Sequence, residues 1–207
     1  MRRMDETTTP ETSEVTDVLT TPEEWRRFLE RYDERYMKSE ASDQELVDLL
    51  DEDQLDLLEE GGRLEQWLGE APAREEELAA AEERLGVRFP PSLRGFFLAS
   101  NGWRRVKGWV DLVQPCGEVA WMRDSEAGPG LIEIYGEDPD NDDYVQLFRR
   151  SVEVAAGEDL WLLDPTDAGP DGEWAAYLFT PKYGDLQEFS SFSELFHDGY
   201  EDMEDDE

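Results

Sequence analysis

Histidine and cysteine are nearly absent from this chain of 207 residues, which contains one of each. The single cysteine, Cys116, cannot form an internal disulfide, which fits a reducing compartment. His197 is the only histidine, so a metal site built from several histidines is excluded and a histidine-based triad would have to use it. A Cys116–His197 dyad is formally possible but has no local support. An ordinary thiol and a surface or capping histidine are the simpler interpretations.

The chain also lacks long apolar runs and the common motifs of catalysis. No run of about 18 apolar residues is present, so no transmembrane helix is predicted. The first residues have no hydrophobic stretch typical of a secretory signal. The phosphate-binding GxxxxGK[ST] and GxGxxG loops, the HExxH zinc motif and the GxSxG nucleophile motif are absent. We therefore expect a cytoplasmic protein that is not an enzyme and uses no cofactor or metal.

Basic side chains are few: 19 Lys and Arg stand against 54 Asp and Glu, for a formal net charge of −35. The imbalance is greatest in residues 106–207, which hold 27 acidic and 5 basic side chains. Such a field repels nucleic acid and anionic lipid, and it accelerates encounters with a basic protein by roughly 10–10³-fold at low salt. Solubility or a salty cytoplasm explains the same composition. With so many carboxylates, no single pair stands out as an acid–base catalyst.

The acidic stretch 138–143 resembles a calcium-binding loop. An EF-hand loop needs glycine at its sixth position and glutamate at its twelfth. Counted from Asp138, these positions hold Asp143 and Arg149. The EF-hand pattern is therefore rejected, and a solvated acidic loop is predicted.

Helical patterns dominate the first half of the chain. Residues 1–20 show no periodicity and are predicted to be a disordered tail. A capping box at residues 21–24 opens a helix that runs to about residue 38. Further capping and leucine patterns make residues 21–70 a helical extension that packs on the following domain. The buried face of the first helix is predicted to hold Trp25, Phe28, Leu29, Tyr32 and Tyr36.

Two further helices and several strands are predicted for the domain at residues 71–197. One helix starts near Ala71-Pro72 and stops at Gly86, and the next runs from Pro90-Pro91 to Asn101-Gly102. The hydrophobic pattern then changes toward a period of two, which predicts strands. These strands are 106–113, 131–135, 160–164, 173–180 and 186–189. Helices first and strands later favour an α+β fold.

The end of the domain is predicted to be a hairpin, a short helix and a charged tail. Residues 165–172 form a turn pattern between two strands, so the pair is expected to be antiparallel. A last helix carries Phe192, Leu195 and Phe196. Residues 198–207 include seven acidic residues in ten, and a block of this kind is usually disordered. Such a tail is either solubilising or a mimic of a phosphate backbone.

An ordered set of short motifs resembles the SUKH superfamily. The motifs are Glu82-Glu83-Arg84-Leu85-Gly86, Phe89-Pro90, the helix stop at Asn101-Gly102, Asp171-Gly172-Glu173-Trp174 and residues 191–196. Residues 67–69 and 100–103 are similar to an actinobacterial-type subgroup. The resemblance covers about residues 64–197. Three features depart from the pattern: Phe89 in place of the more usual leucine, the acidic insertion at 137–143, and the acidic tail.

The resemblance implies a mixed, mainly antiparallel sheet flanked by helices, and a role in binding. Many bacterial members neutralise nuclease or deaminase toxins by occluding them. We therefore expect a monomeric immunity protein that binds a basic toxin and does not bind nucleic acid or membrane directly. The alternatives are a regulatory scaffold or adaptor, like eukaryotic relatives, and an acidic nucleic-acid mimic of phage origin.

Aromatic residues near strand ends and acidic residues beside them are the candidates for contact with a partner. For each tryptophan, a core position is the main alternative. The candidate partner-binding residues are Trp103, Trp109, Asp111, Trp121, Asp138, Asp140, Asp142, Asp143, Asp164, Glu173 and Trp174.

Overall fold

The computed structural model describes residues 18–36, 68–106 and 109–205, with side chains described as far as residue 201. These residues form six α-helices and one seven-stranded sheet. The predicted α+β fold, with a helix ahead of the domain, is confirmed. Most of the predicted tail, at residues 1–17, and the leucine-rich patterns of residues 37–67 lie outside the described residues.

Helix α1 (Pro22–Tyr36) begins at the predicted capping box. The Glu24 carboxylate accepts the backbone N–H of Thr21 at 3.0 Å, and the Glu24 N–H donates to Thr21 Oγ1 at 3.3 Å. These bonds satisfy backbone groups that the first turn of a helix leaves unpaired. All five residues of the predicted apolar stripe are buried, so the helical spacing is confirmed.

Helix α2 (Glu75–Leu85) and helix α3 (Pro91–Ala99) follow, and α2 starts later than predicted. The N–H of Ala73 donates to the carbonyl of Phe97 at 2.8 Å, which holds the chain before α2 in an extended path along α3. Arg74 is then the N-cap, and its N–H donates to the Glu77 carboxylate at 2.7 Å. Gly86 ends α2 with a φ of 73°, a left-handed conformation that favours glycine.

The sheet has the spatial order β1-β2-β4-β5-β6-β7, and the short β3 pairs with the start of β4. Every pairing between described strands is antiparallel. The strands are β1 (Trp103–Val106), β2 (Val110–Val113), β3 (Ala120–Trp121), β4 (Val152–Gly157), β5 (Leu160–Ala168), β6 (Trp174–Thr180) and β7 (Asp185–Phe189). The predicted strand at 106–113 therefore covers the end of β1 and all of β2, which pair antiparallel as two strands, and β4 was not predicted.

Two helical segments lie where strands or a loop were predicted. Helix α4 (Gly128–Tyr135) replaces the strand predicted at 131–135. Its half-buried side chains are Leu131, Ile132 and Tyr135, while Glu133 is exposed. A helix can place the three apolar residues on one face, whereas a strand would turn Leu131, Glu133 and Tyr135 to the same side.

Helix α5 (Asp142–Arg150) was also missed, because its start was assigned to a solvated acidic loop. The acidic stretch instead forms a short 3₁₀ helix, Pro139–Asn141, and then the first turn of α5. The first turn of α5 carries acidic residues, and the last turn carries Arg149 and Arg150. These charges interact favourably with the helix dipole. Val145, Leu147 and Phe148 face the core.

Each face of the sheet packs against helices. Along β5, Trp161 and Leu163 belong to a large core with α1, α2, α3 and the last helix, α6 (Phe192–Asp205). Leu160 and Leu162 point the other way into a smaller core with α4 and α5. The alternation follows the period of two of a strand. The result is a three-layer arrangement with the sheet in the middle.

Helix α6 extends further than predicted. It carries Phe192, Leu195 and Phe196 into the large core, as expected, but its backbone stays helical to Asp205. The predicted disordered tail at 198–207 is therefore wrong for residues 198–205. Packing explains the difference, because Tyr200 contacts Phe28 and Tyr32 of α1 with ring centroids 5.4 and 5.9 Å apart.

The buried carboxyl group of Glu153 makes a testable contribution to stability. Glu153 in β4 is 5% exposed, and it accepts a hydrogen bond from Ser125 Oγ at 2.8 Å. Burial raises the pKa of Glu153 above its ordinary value of 4.5. Because the folded state then binds this proton more tightly than the unfolded state, its contribution to stability falls as pH rises above about 4.5.

We expect Glu153→Gln to flatten the pH dependence of stability. The free energy of unfolding, measured by urea denaturation between pH 4 and 7, should fall less with rising pH in this variant than in wild type. Glu188→Gln, which removes an exposed carboxylate, serves as the matched control. Parallel curves for wild type and Glu153→Gln would contradict the assignment.

Candidate functional site

Three hairpin turns meet at one end of the sheet. The register pairs Val110 with Gly157, Leu160 with Phe179 and Thr180 with Asp185. The β1–β2, β4–β5 and β6–β7 turns therefore lie side by side. The first two are also joined directly, because the Asp159 N–H donates to the Trp109 carbonyl at 3.0 Å.

The connection between α4 and α5 lies at the same end. Helix α4 starts against the Met122 carbonyl, beside the opposite end of β4, and a Cβ at Gly128 would collide with that carbonyl. At the other end of α4, the Tyr135 ring packs on Tyr144 of α5 with centroids 5.2 Å apart. The Tyr144 hydroxyl donates to the Gly184 carbonyl in the β6–β7 turn at 3.0 Å. This bond fixes the acidic connection next to the hairpin turns.

Large apolar side chains are exposed at this end. Trp109 is 67% exposed, Tyr183 is 70% exposed and Ile134, next to Tyr135 in α4, is 65% exposed. The fourth exposed large apolar residue among the described ones is Val18, at 37%. Three of the four therefore cluster around the hairpin turns.

Exposed carboxylates lie at the same end of the sheet, together with two described basic side chains: Lys182 in the β6–β7 turn and Arg105, which lies in β1 across from Asp111. Two carboxylates have local roles: Asp138 accepts the N–H of Asp140 at 3.0 Å, and Asp142 accepts from Gln146 at 3.3 Å. We call this region the hairpin-end surface. Its residues are Trp109, Asp111, Ile134, 137–143, Glu158, Lys182, Tyr183 and Asp185.

The structure brings six of the predicted partner-binding residues onto this surface. They are Trp109, Asp111, Asp138, Asp140, Asp142 and Asp143, all of them exposed. Trp121 lies elsewhere, because β3 pairs with the start of β4 at the opposite end of the sheet. The Arg123 guanidinium lies over the Trp121 ring, 4.5 Å from its centroid.

Two of the predicted partner-binding residues are buried tryptophans. Trp103 is 0% exposed and packs against Tyr32, with ring centroids 5.7 Å apart. Trp174 is 6% exposed and belongs to the large core. For these two, the core alternative holds, and neither side chain is available on the surface.

Two of the predicted acidic residues are buried as well, each with a partner. Asp164 is 0% exposed and binds Arg150 Nε at 2.5 Å. Glu173 is 3% exposed and accepts the N–H and the hydroxyl of Ser92 at 2.8 and 2.5 Å. Since Ser92 lies in the first turn of α3, the Glu173 carboxylate caps that helix. Both residues hold the fold together and lie outside the exposed surface.

Sequence reasoning missed Ile134, Glu158, Lys182, Tyr183 and Asp185. Tyr183 lies in the five-residue gap 181–185 between two predicted strands, where an aromatic side chain has little opportunity for burial. The position of Tyr183 in a turn could therefore have identified it as an exposed aromatic residue. The sequence around Ile134 does not indicate its exposure, because that exposure depends on α4 being a helix.

Neither member of the possible Cys116–His197 dyad lies in a reactive setting. Cys116 is 1% exposed, and burial raises the pKa of its thiol. His197 packs on Phe28 with ring centroids 4.3 Å apart, and its Nδ1 lies 2.8 Å from the Ser193 carbonyl. Burial lowers the pKa of His197. Within residues 18–36, 68–106 and 109–205, no group of three or more His, Cys, Asp or Glu side chains could hold a metal ion.

Quenching of Trp109 fluorescence tests the charge of the hairpin-end surface. The signal of Trp109 is the difference between the fluorescence of wild type and that of Trp109→Phe. At low ionic strength, caesium should quench this signal severalfold more strongly than iodide does, when each quenching constant is divided by that of free tryptophan amide. Added salt should remove the preference. The fluorescence of Trp121, obtained in the same way from Trp121→Phe, serves as the comparison, because Trp121 lies at the opposite end of the sheet. Equal quenching by the two ions would show that the potential at Trp109 is not negative.

The fold and this surface define a class of α+β protein built around an antiparallel sheet, with an acidic and aromatic face at one end. Residues 72–198 match the model of the SMI1 / KNR4 family (SUKH-1), and the chain belongs to that family. A search of the curated proteins found no match. Helix α1 lies outside the matched residues. Among the described helices, none combines the length and apolar character needed to cross a bilayer.

Proposed function

We propose that this protein is a cytoplasmic immunity protein of a bacterial toxin system. It binds a basic toxin, such as a nuclease or deaminase, and blocks the active site or nucleic-acid groove of that toxin. It has no catalytic activity of its own. Membership of the SUKH-1 family supports a binding role. The observation that carries the proposal is the hairpin-end surface, where exposed aromatic side chains are surrounded by carboxylates.

Electrostatics support a basic partner and disfavour other ligands. A net charge of −35 repels nucleic acid and anionic membranes. It attracts a toxin whose own surface must be cationic in order to bind nucleic acid. Acidic groups around an interface raise the association rate most at low salt.

The edge strand β7 supports the proposal that the protein acts as a monomer. β7 pairs only with β6 among the described strands, and it exposes Asp185, Gln187 and Glu188. Charged side chains on an edge strand oppose pairing with a second copy. Like charges on two such chains add to that repulsion.

Affinity capture from the native cells, at low and at high salt, tests the proposal. We expect one basic protein to be retained at low salt and released as salt rises. The purified captured protein should be toxic or enzymatically active alone and inactive when mixed with this chain. Several neutral partners that do not respond to salt would contradict immunity and point to a regulatory scaffold.

A further inference from the structure

Trp109 and Tyr183, the exposed aromatic residues at the hairpin-end surface, are mostly open to solvent. The backbone of Trp109 is fixed by the hydrogen bond from Asp159, yet its side chain extends into solvent. The Tyr183 ring likewise is 70% exposed, with the Lys182 ammonium 5.4 Å from its centroid. Clustered apolar exposure of this kind marks a site of contact with a partner. Tryptophan and tyrosine are also enriched among the residues that dominate binding energy.

The spacing of these residues matches one interface. Neighbouring strands lie about 4.8 Å apart, so the β1–β2 and β6–β7 turns, four spacings apart, are separated by about 19 Å. A standard interface buries about 800 Å² on each partner, which is a patch roughly 30 Å across if it is circular. Trp109 and Tyr183 can therefore contact the same partner, with Glu158 of the β4–β5 turn between them.

Charge identifies the occupant. The exposed carboxylates of the α4–α5 connection, together with Asp111, Glu158 and Asp185, face solvent around the aromatic side chains. A second copy of this chain would bring like charge against like charge, which is destabilising. Nucleic acid is repelled for the same reason. A protein with a cationic surface is the partner that this surface complements.

We propose that the hairpin-end surface is the face that contacts the toxin, with Trp109 and Tyr183 as anchors in two apolar pockets of a cationic protein surface. This inference rests on the proposed function and adds the location of the interface. The acidic connection between α4 and α5 steers the approach, and the aromatic side chains hold the complex.

Site-specific photo-crosslinking in the native cells tests the location. The photoreactive probe p-benzoylphenylalanine replaces Trp109 or Tyr183 in the full chain, and the matched controls carry it at the exposed Glu76 or Glu83 of α2. We expect one and the same basic protein to be linked at both test positions and at neither control position.

Affinity measurements with that purified crosslinked protein complete the test. Trp109→Ala should raise Kd by about 30-fold or more, as expected for an anchor residue. Asp140→Asn with Asp143→Asn should slow association at low salt by up to about tenfold. Glu76→Gln with Glu83→Gln changes the net charge equally and should have less than about a twofold effect, since these residues lie in the layer on the opposite face of the sheet.

The outcomes separate the location from the proposed function. Crosslinks at Glu76 or Glu83 but not at Trp109 or Tyr183 would overturn the location and leave the immunity role standing. So would a lack of crosslinks at the test positions in cells where the wild-type chain retains a basic toxin. Crosslinks from Trp109 and Tyr183 to a second copy of the chain, to an acidic protein or to nucleic acid would overturn both proposals. Failure of capture and of crosslinking together would also overturn both.

Discussion

Replacing Trp25 with alanine is expected to lower the free energy of unfolding by about 3–5 kcal/mol. Trp25 in α1 is 0% exposed. Its ring lies between 5.4 and 5.8 Å, centroid to centroid, from four phenylalanine rings of α1, α3 and α6: Phe28, Phe96, Phe192 and Phe196. Alanine would leave a cavity at the point where three helices meet, and rigid aromatic neighbours can fill it only partly.

Trp109→Ala is the matched control for Trp25→Ala. Both changes remove a tryptophan side chain, but Trp109 is 67% exposed, so its loss should change stability by no more than about 0.5 kcal/mol. Urea denaturation followed by circular dichroism measures both. Similar losses of stability would show that α1 does not pack in the core as described.

The Trp25 experiment also concerns the extent of the folded unit. The family match starts at residue 72, whereas Trp25, Phe28, Leu29, Tyr32 and Tyr36 are buried in the same core as the matched residues. α1 is therefore part of the hydrophobic core and not an appendage to it. A chain cut at residue 72 would expose the apolar faces of α3 and α6, which should destabilise it strongly.

Asp164→Ala is expected to lower the free energy of unfolding by about 3 kcal/mol. The fully buried carboxylate binds Arg150 Nε at 2.5 Å, and it accepts from the N–H and hydroxyl of Thr166 at 2.9 and 2.7 Å. Arg150 is 43% exposed, so water can solvate its guanidinium once Asp164 is replaced. The loss of stability should therefore lie near the lower end of the range observed when one partner of a buried ion pair is removed.

The exposed Asp167→Ala, in the same strand, is the control and should change stability by less than about 0.5 kcal/mol. Thermal or urea unfolding of the two variants decides the matter. Because Asp164 is buried, its replacement should alter partner binding only through loss of folded protein. A stable Asp164→Ala variant with weakened binding would instead return Asp164 to the partner surface.

Local patterns predicted the helical parts of the fold well where one face of an element is buried along its whole length. The stripe of α1, the glycine stop of α2 at Gly86 and the apolar residues of α6 all follow from a period of 3.6 and from end signals. These features depend on neighbours three or four residues away. They are therefore visible in the sequence alone.

Local patterns failed where packing between distant segments decides the structure. A short apolar run such as 131–135 suits a strand or a helix equally well, and only its position over β5 and β6 selects the helix. α5 was hidden because its acidic start was interpreted as a loop. The extension of α6 past residue 198 depends on contacts between Tyr200 and α1, about 170 positions away in the chain.

The candidate site shows the same division. Proximity in sequence grouped Asp164, Glu173 and Trp174 with the other candidates, but their burial depends on Arg150, Ser92 and core residues from other elements. A buried carboxylate needs such partners, since an unpaired one would be costly. These pairings between distant residues cannot be predicted from the sequence alone.

The sequence by itself determined the strong negative charge, the family motifs and the amphipathic helices, because each is a property of residue types and short spacings. Only the tertiary structure decided which aromatic and acidic side chains share one surface. Antiparallel pairing places the β1–β2, β4–β5 and β6–β7 turns at one end of the sheet, and the Tyr144–Gly184 hydrogen bond adds the acidic connection. Trp109 and Tyr183 are 74 residues apart in the chain, and the register of the three strand pairs from β2 to β6 brings them to the same end of the sheet.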